Sequence, residues 1–253
     1  MSRRGIIGLI LLGTLSFLVF AVARIPAAVA VPILEDQAGI EVHDPSGTIW
    51  SGRFGAVQLP DIGIGPVEWD LSALSLLRAR ADLDVRADID SGQARGRVRL
   101  DRHGNLQIRE ARGQVPLHMI RPFLLIEVQE LSGDGAFDLE HLEFREMRPW
   151  RAEGDLRILD LQLRVQQQAF DFGNFQGQLS GTEGDLRLGF QDAGGDGPWE
   201  LDGDAEFHPD YSYRVEGRVR AREEAPRHMQ IPLQYLGSED EQGFHRFSFG
   251  GSL

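Results

Sequence analysis

The chain has 253 residues, no cysteine, 26 basic residues that are all arginine, and 39 acids, for a formal net charge of −13. Without cysteine there are no disulfides, thiolate metal sites or cysteine nucleophiles, and without lysine there is no Schiff base or Walker lysine. Arg3, Arg4 and Arg24 lie in an acid-free opening stretch, so residues 25–253 carry 23 arginines against 39 acids, a net −16 that argues against a nucleic-acid surface.

The first predicted element is a helix. Gly5 to Ala23 is a run of 19 uncharged residues behind Arg3-Arg4. As a helix it reaches about 28 Å, close to a hydrocarbon core of about 30 Å. The two arginines hold its N-terminal end in the cytoplasm. The expected organisation is therefore a cytoplasmic tail at 1–4, a transmembrane anchor at 5–24 and a β domain at 25–253. In a Gram-negative cell this is a single-pass inner-membrane protein with a periplasmic C-terminal domain. Ala28-Val29-Ala30 is a competing signal for cleavage before Val31. The apolar run exceeds the usual signal-peptide core of about 7–15 residues, which favours an uncleaved anchor.

Beyond Pro32 the pattern is that of strands. Ala81, Leu83, Val85, Ala87 and Ile89 form one face, and Asp82, Asp84, Arg86, Asp88 and Asp90 the other. A turn at Ser91-Gly92 would pair Leu83 with Leu100 and Val85 with Val98, set Asp88 against Arg95 and Asp84 against Arg99, and leave Arg86 facing Arg97. The acidic run is a solvated strand face, because alternate carboxylates on a strand do not wrap around a calcium ion. Leu161, Leu163 and Val165 alternate in the opposite phase to Leu156 and Ile158, which predicts a bulge near Leu159. Strands follow at Leu186–Phe190, Trp199–Phe207 and Tyr211–Ala221, and a last one in the aromatic alternation from Phe244 to Phe249. Gly-Asp-Leu-Arg, at Gly154–Arg157 and Gly184–Arg187, suggests a recurring strand start.

Three stretches break the alternation: Leu71–Arg80, Val115–Leu125 and Arg227–Leu236. Leu71, Leu74 and Leu77, with Ala73 and Leu76, suit one or two helical turns packed on the sheet or capping it. Pro116, Pro122 and Pro232 restrict the other two to short turns. The expected fold is mainly β, a curved antiparallel sheet with a few short helices, forming one long domain.

No catalytic constellation is present. The seven histidines fall in no compact ligand spacing, and there is no nucleophile elbow, P-loop or dinucleotide fingerprint. Pro66 bars the helix that Gly63 and Gly65 would need behind them. Neither enzyme activity, metal nor cofactor is expected. Trp50, Trp69, Trp150 and Trp199 are read as core anchors rather than a stacking surface.

One resemblance covers nearly the whole chain. Ser46-Gly47-Thr48-Ile49-Trp50-Ser51-Gly52, then Val67-Glu68-Trp69-Asp70-Leu71 with the leucine-rich turn to Arg80, resemble protein N of bacterial type II secretion systems (the GspN family), within the wider AsmA-like group. Val115-Pro116-Leu117, Leu131-Ser132-Gly133, Trp150–Gly154, Gly217–Ala221 and Tyr235-Leu236-Gly237 continue the match in order. The resemblance implies an AsmA-like open half-barrel. It also implies a non-enzymatic inner-membrane subunit, partnered by other secretion-system subunits, that supports export of folded periplasmic proteins across the outer membrane. It carries over no catalytic residue; Gly47, Trp50, Gly52 and Trp69 take structural roles, the glycines permitting tight bends. The alternative is an AsmA-like groove that binds or transfers lipid at the inner membrane.

Overall fold

Alternating apolar and charged residues build long antiparallel strands, and in the computed structural model these strands join into one sheet. The structure describes residues 14, 16–18, 20–59, 62–119, 130–146, 148–165, 168–194 and 197–252. The described part of residues 14–23 is helical. The rest of the expected anchor, residues 5–13, 15 and 19, and the tail at 1–4 lie outside the described residues, as does the end of the Val115–Leu125 stretch. No helix among the described residues is long and apolar enough to cross a membrane.

A helix α1 (Val31–Ala38) leads into a small sheet of β1 (Glu41–His43), β4 (Ala56–Gln58) and β5 (Gly63–Ile64). The main sheet begins with β2 (Ser46–Gly47), β3 (Ser51–Phe54) and β6 (Val67–Leu71). After a short helix α2 (Ala73–Leu76) it continues as a meander through β7 (Arg80–Ile89), β8 (Gly92–Asp101), β9 (Leu106–Pro116), β10 (Glu130–Arg145) and β11 (Arg148–Val165). Then follow β12 (Gln168–Thr182), β13 (Asp185–Asp192), β14 (Trp199–Phe207) and β15 (Ser212–Ala221). Helix α3 (Arg227–Gln230) and a 3-10 turn (Ile231–Leu236) precede the final strand β16 (His245–Ser252). Among the described residues the 13 strands run in the order β16 to β6, then β3 and β2, all antiparallel; β2 and β16 are the outermost strands and do not pair with each other, so the sheet is open.

A single layer leaves its apolar face only half-buried along most strands, as at Leu83, Val85 and Ala87. Full burial is local. Ala27, Val42, Phe54, Val57 and Trp69 form one core at the N-terminal end, and Leu117 and Leu131, with Ile158, Leu161 and Leu163 against them, form another. At the far end Met229 of α3 and Leu233 of the 3-10 turn are buried, as are Val219 and Phe244.

Several expectations on strand detail are met and several are corrected. The bulge near Leu159 is present: the β11 register shifts against both neighbours there, and Asp160 takes a left-handed φ of 51°. Further shifts in β10, between Leu139 and His141 among others, bend the same region. The β7–β8 hairpin, however, turns at Asp90-Ser91, not Ser91-Gly92. Asp90 has φ 48°, and Leu83 faces Val98 while Val85 faces Gly96. Gly92 thereby enters the ladder opposite Ile89, where a third strand presses on it: a Cβ there would lie 2.0 Å from the Gln114 carbonyl oxygen of β9. The displacement is by two residues and keeps every side chain on its face. It also re-sorts the charges, now Asp82 with Arg99 and Asp84 with Arg97, with Arg86 facing Arg95. Gly-Asp-Leu-Arg does not mark a recurrent strand start, since Gly154 lies within β11 and only Gly184 precedes a strand. The expected helical turn is present as α2, but its leucines do not pack on the sheet: Leu74 and Leu77 are exposed and Ser75 is buried.

Candidate functional site

The residues singled out by resemblance meet at one place, where the N-terminal segment joins the sheet. β2 and β3 form a hairpin whose loop is held by Thr48: its Oγ1 accepts from the backbone N–H of Trp50 (3.3 Å) and of Ser51 (3.2 Å). Gly47 needs its glycine twice over. Its φ is 82°, and a Cβ there would lie 2.6 Å from the Ser51 carbonyl oxygen. Gly52 is different. Its backbone is unstrained, but the Trp69 ring lies across it, and a Cβ would stand 2.5 Å from Trp69 Cζ2. Gly52 thus serves close approach rather than a bend.

Trp69 is buried against Phe54, ring centroids 4.3 Å apart, and its indole N–H donates to the Ile49 carbonyl at 3.1 Å. Trp50 points the other way. It is half-buried, and its indole N–H donates to the Val22 carbonyl at 2.8 Å, capping the last turn of the N-terminal helix. Three further links tie that segment to the hairpin. Ile49 N–H donates to the Ile25 carbonyl at 3.0 Å, Pro26 bridges Thr48, and Ala27 enters the core at 1% exposure.

The other two tryptophans are elsewhere. Trp199 donates to the Met229 carbonyl at 2.9 Å and meets Phe172 edge-on at 5.0 Å, whereas Trp150 stacks under the Arg145 guanidinium at 4.5 Å. The four therefore form no common stacking surface.

On the polar face charge is paired across strands. Arg99 Nε donates to Asp82 at 2.6 Å, Arg112 to Asp138 at 2.8 Å, Arg187 to Asp204 at 2.9 Å and Arg218 to Asp202 at 2.8 Å. The hydrogen bond from Arg99 holds the Asp82 carboxyl below the usual range, against an opposing effect of burial. The Asp138 and Asp204 hydrogen bonds raise Arg112 and Arg187. His208 is raised because its Nδ1 lies 2.8 Å from Asp185. Pairs this open to water are screened and add little to stability.

A groove of about 710 Å³ beside α3 is lined by Glu200, Arg220 and Arg222 among others. Its two arginines are paired, Arg220 with Glu200 at 2.6 Å and Arg222 with Asp192, and Glu223 and Glu224 line it as well. His245 Nδ1 there donates to the Gly237 carbonyl at 2.8 Å. Among the described residues no cluster of three or more carboxylates and histidines could hold a metal ion.

Comparison with known proteins agrees with the motif resemblance. The sequence model of "Type II secretion system (T2SS), protein N" matches residues 38–248, from the end of α1 into β16. A relative from Vibrio cholerae serotype O1, a type II secretion system protein N, is 24% identical over 247 residues, covering 92% of each chain. Another from Aeromonas hydrophila, of the same name, is 24% identical over 246 residues, covering 94% of this chain and 95% of its own. No solved structure matches the chain. A family model spanning the hairpin, the meander and the closing strand leaves one conclusion: the chain belongs to the protein N family of type II secretion systems.

Proposed function

We propose that this chain is a non-enzymatic subunit of a type II secretion system, anchored in the inner membrane with its sheet in the periplasm. There it supports export of folded proteins across the outer membrane by binding other subunits. The observation that carries this is the family match over residues 38–248, which takes in nearly all of the sheet. The junction supports an uncleaved N-terminus. Cleavage before Val31 would remove buried Ala27, the Ile25–Ile49 hydrogen bond and the Trp50–Val22 hydrogen bond. Gly47, Trp50, Gly52 and Trp69 act as the structural joint between anchor and sheet. The free edges β2 and β16 offer unpaired backbone groups to partner strands.

Deletion of the gene, with secreted hydrolases assayed in medium and periplasm, tests the proposal. Hydrolase trapped in the periplasm and released again by a plasmid copy is the expected result. Undiminished secretion, with the other subunits stable and no second homologue present, would overturn it. A second reading, a lipid-holding groove, draws on the half-exposed inner face at Leu83, Val85 and Val98. Stoichiometric lipid retained in native mass spectrometry would favour it, and an empty domain the scaffold.

A further inference from the structure

The segment between β6 and β7 is built inside out. Ser75 is buried at 3% exposure, while Leu74 and Leu77 are exposed at 72% and 84%. Hydrogen bonds enforce this. The Ser75 hydroxyl donates to the Ser72 carbonyl at 2.6 Å and accepts from the Asp82 N–H at 3.0 Å, and Ser72 N–H donates to the Asp82 carbonyl at 2.9 Å. With its polar side chain clipped to β7, the turn has only one direction left for its leucines, which is outward. In water such an arrangement forgoes the burial that drives folding.

Two observations say what lies outside. First, Ala73 of the same turn lines an apolar groove of about 430 Å³ together with Leu18, Val22, Ala23 and Trp50. The exposed leucines thus sit beside the end of the N-terminal helix, whose own Phe17, Leu18, Phe20 and Val22 are exposed. Second, the charge is of the opposite sign to the rest of the domain. Residues 1–34 and 71–81 contain no acid, whereas Arg24 and Arg78 stand exposed at this end of a body that is otherwise strongly acidic. Leucines flanked by arginines, next to an indole whose N–H caps a membrane-directed helix, have the chemistry of a lipid headgroup boundary.

We propose that residues 72–79 are a second membrane contact. Leu74 and Leu77 enter the boundary of the leaflet from which the N-terminal helix emerges, and Arg24 and Arg78 meet its anionic phosphates. The inference rests on the membrane-anchored reading above and extends it. One helix would leave the sheet free to swivel, whereas two attachments fix its orientation and therefore the direction in which the free edges face.

The chain lacks cysteine, so single labelling sites can be added to the full-length protein without removing others. Leu18→Cys, Leu74→Cys, Leu77→Cys and Asp84→Cys, each carrying a nitroxide, are reconstituted into vesicles of phosphatidylethanolamine and phosphatidylglycerol. Access of a water-soluble nickel chelate and of oxygen is then read by spin resonance. The expected result is loss of chelate access with retained oxygen access at 74 and 77, as at 18, and full chelate access at 84. Chelate access at 74 and 77 with loss at 18 overturns this inference and leaves the anchor standing. Chelate access at 18 overturns the anchor and this inference together. Loss of both reagents at 74 and 77 marks a protein contact, from a second copy, and also overturns it.

Discussion

Replacing Gly52 by alanine should cost far more than a methyl group normally does. The new Cβ would stand 2.5 Å from Trp69 Cζ2 and 2.8 Å from the carbonyl oxygens of both Ser46 and Thr48. Trp69 is packed on Phe54 within the N-terminal core, and the two carbonyls belong to the hairpin itself, so none of the three can swing aside. Overpacking costs about 1–3 kcal/mol, and a clash with backbone belongs at the upper end, about 3 kcal/mol. That is roughly a hundredfold in the folded-to-unfolded ratio and roughly 6–12 °C in Tm for a chain of this size. The assay is thermal unfolding of the full chain in detergent, followed by tryptophan fluorescence. Gly189→Ala is the matched control in β13, because its Cβ would meet only the carboxyl tip of Asp204 at 3.4 Å. If Gly52→Ala melts within about 2 °C of Gly189→Ala, the close approach of Trp69 does not hold the hairpin and the reasoning fails.

Met229 of α3 is 1% exposed, and Met229→Ala should lower stability by about 3 kcal/mol, read as a fall in Tm. Asp82 is held below 3.8 chiefly by Arg99, so its contribution is present above the unfolded value and is lost as pH falls through the lower folded value. Arg99→Gln should raise the Asp82 value, measured by carbon NMR titration, and shift acid unfolding to higher pH. His208 is raised above 6.5 by Asp185, so its contribution is complete below 6.5 and is lost as pH rises through the folded value. Asp185→Asn should bring the His208 titration back toward 6.5 by proton NMR, and an unchanged midpoint would exclude the pair.

The open sheet explains why so much of the charged face is paired. An open single-layer sheet leaves its charged face in water, and cross-strand arginine–carboxylate pairs suit that face while adding little stability apiece. Packing energy is concentrated instead at the N-terminal joint, around Leu117 and Leu131, and beneath α3. The family motifs around Gly47 to Trp69 coincide with the first of these.

Much was legible in the residues alone. Alternation in Ala81–Ile89 assigned each side chain to its face, the phase change around Leu159 located a bulge, and the ordered Gly–Trp motifs pointed to the family. The inversion at Ser75 was not legible, because LSALSLLRAR reads as an ordinary amphipathic turn until Asp82 N–H is seen to need the serine hydroxyl. The reason Gly52 is glycine was likewise hidden, since the atom that demands it belongs to Trp69 on another strand. The β7–β8 register failed for a related cause. A pattern of period two is blind to a shift by two, so the chain determined which residues face inward. Only β9, pressing Gln114 against Gly92, decided which residues face each other.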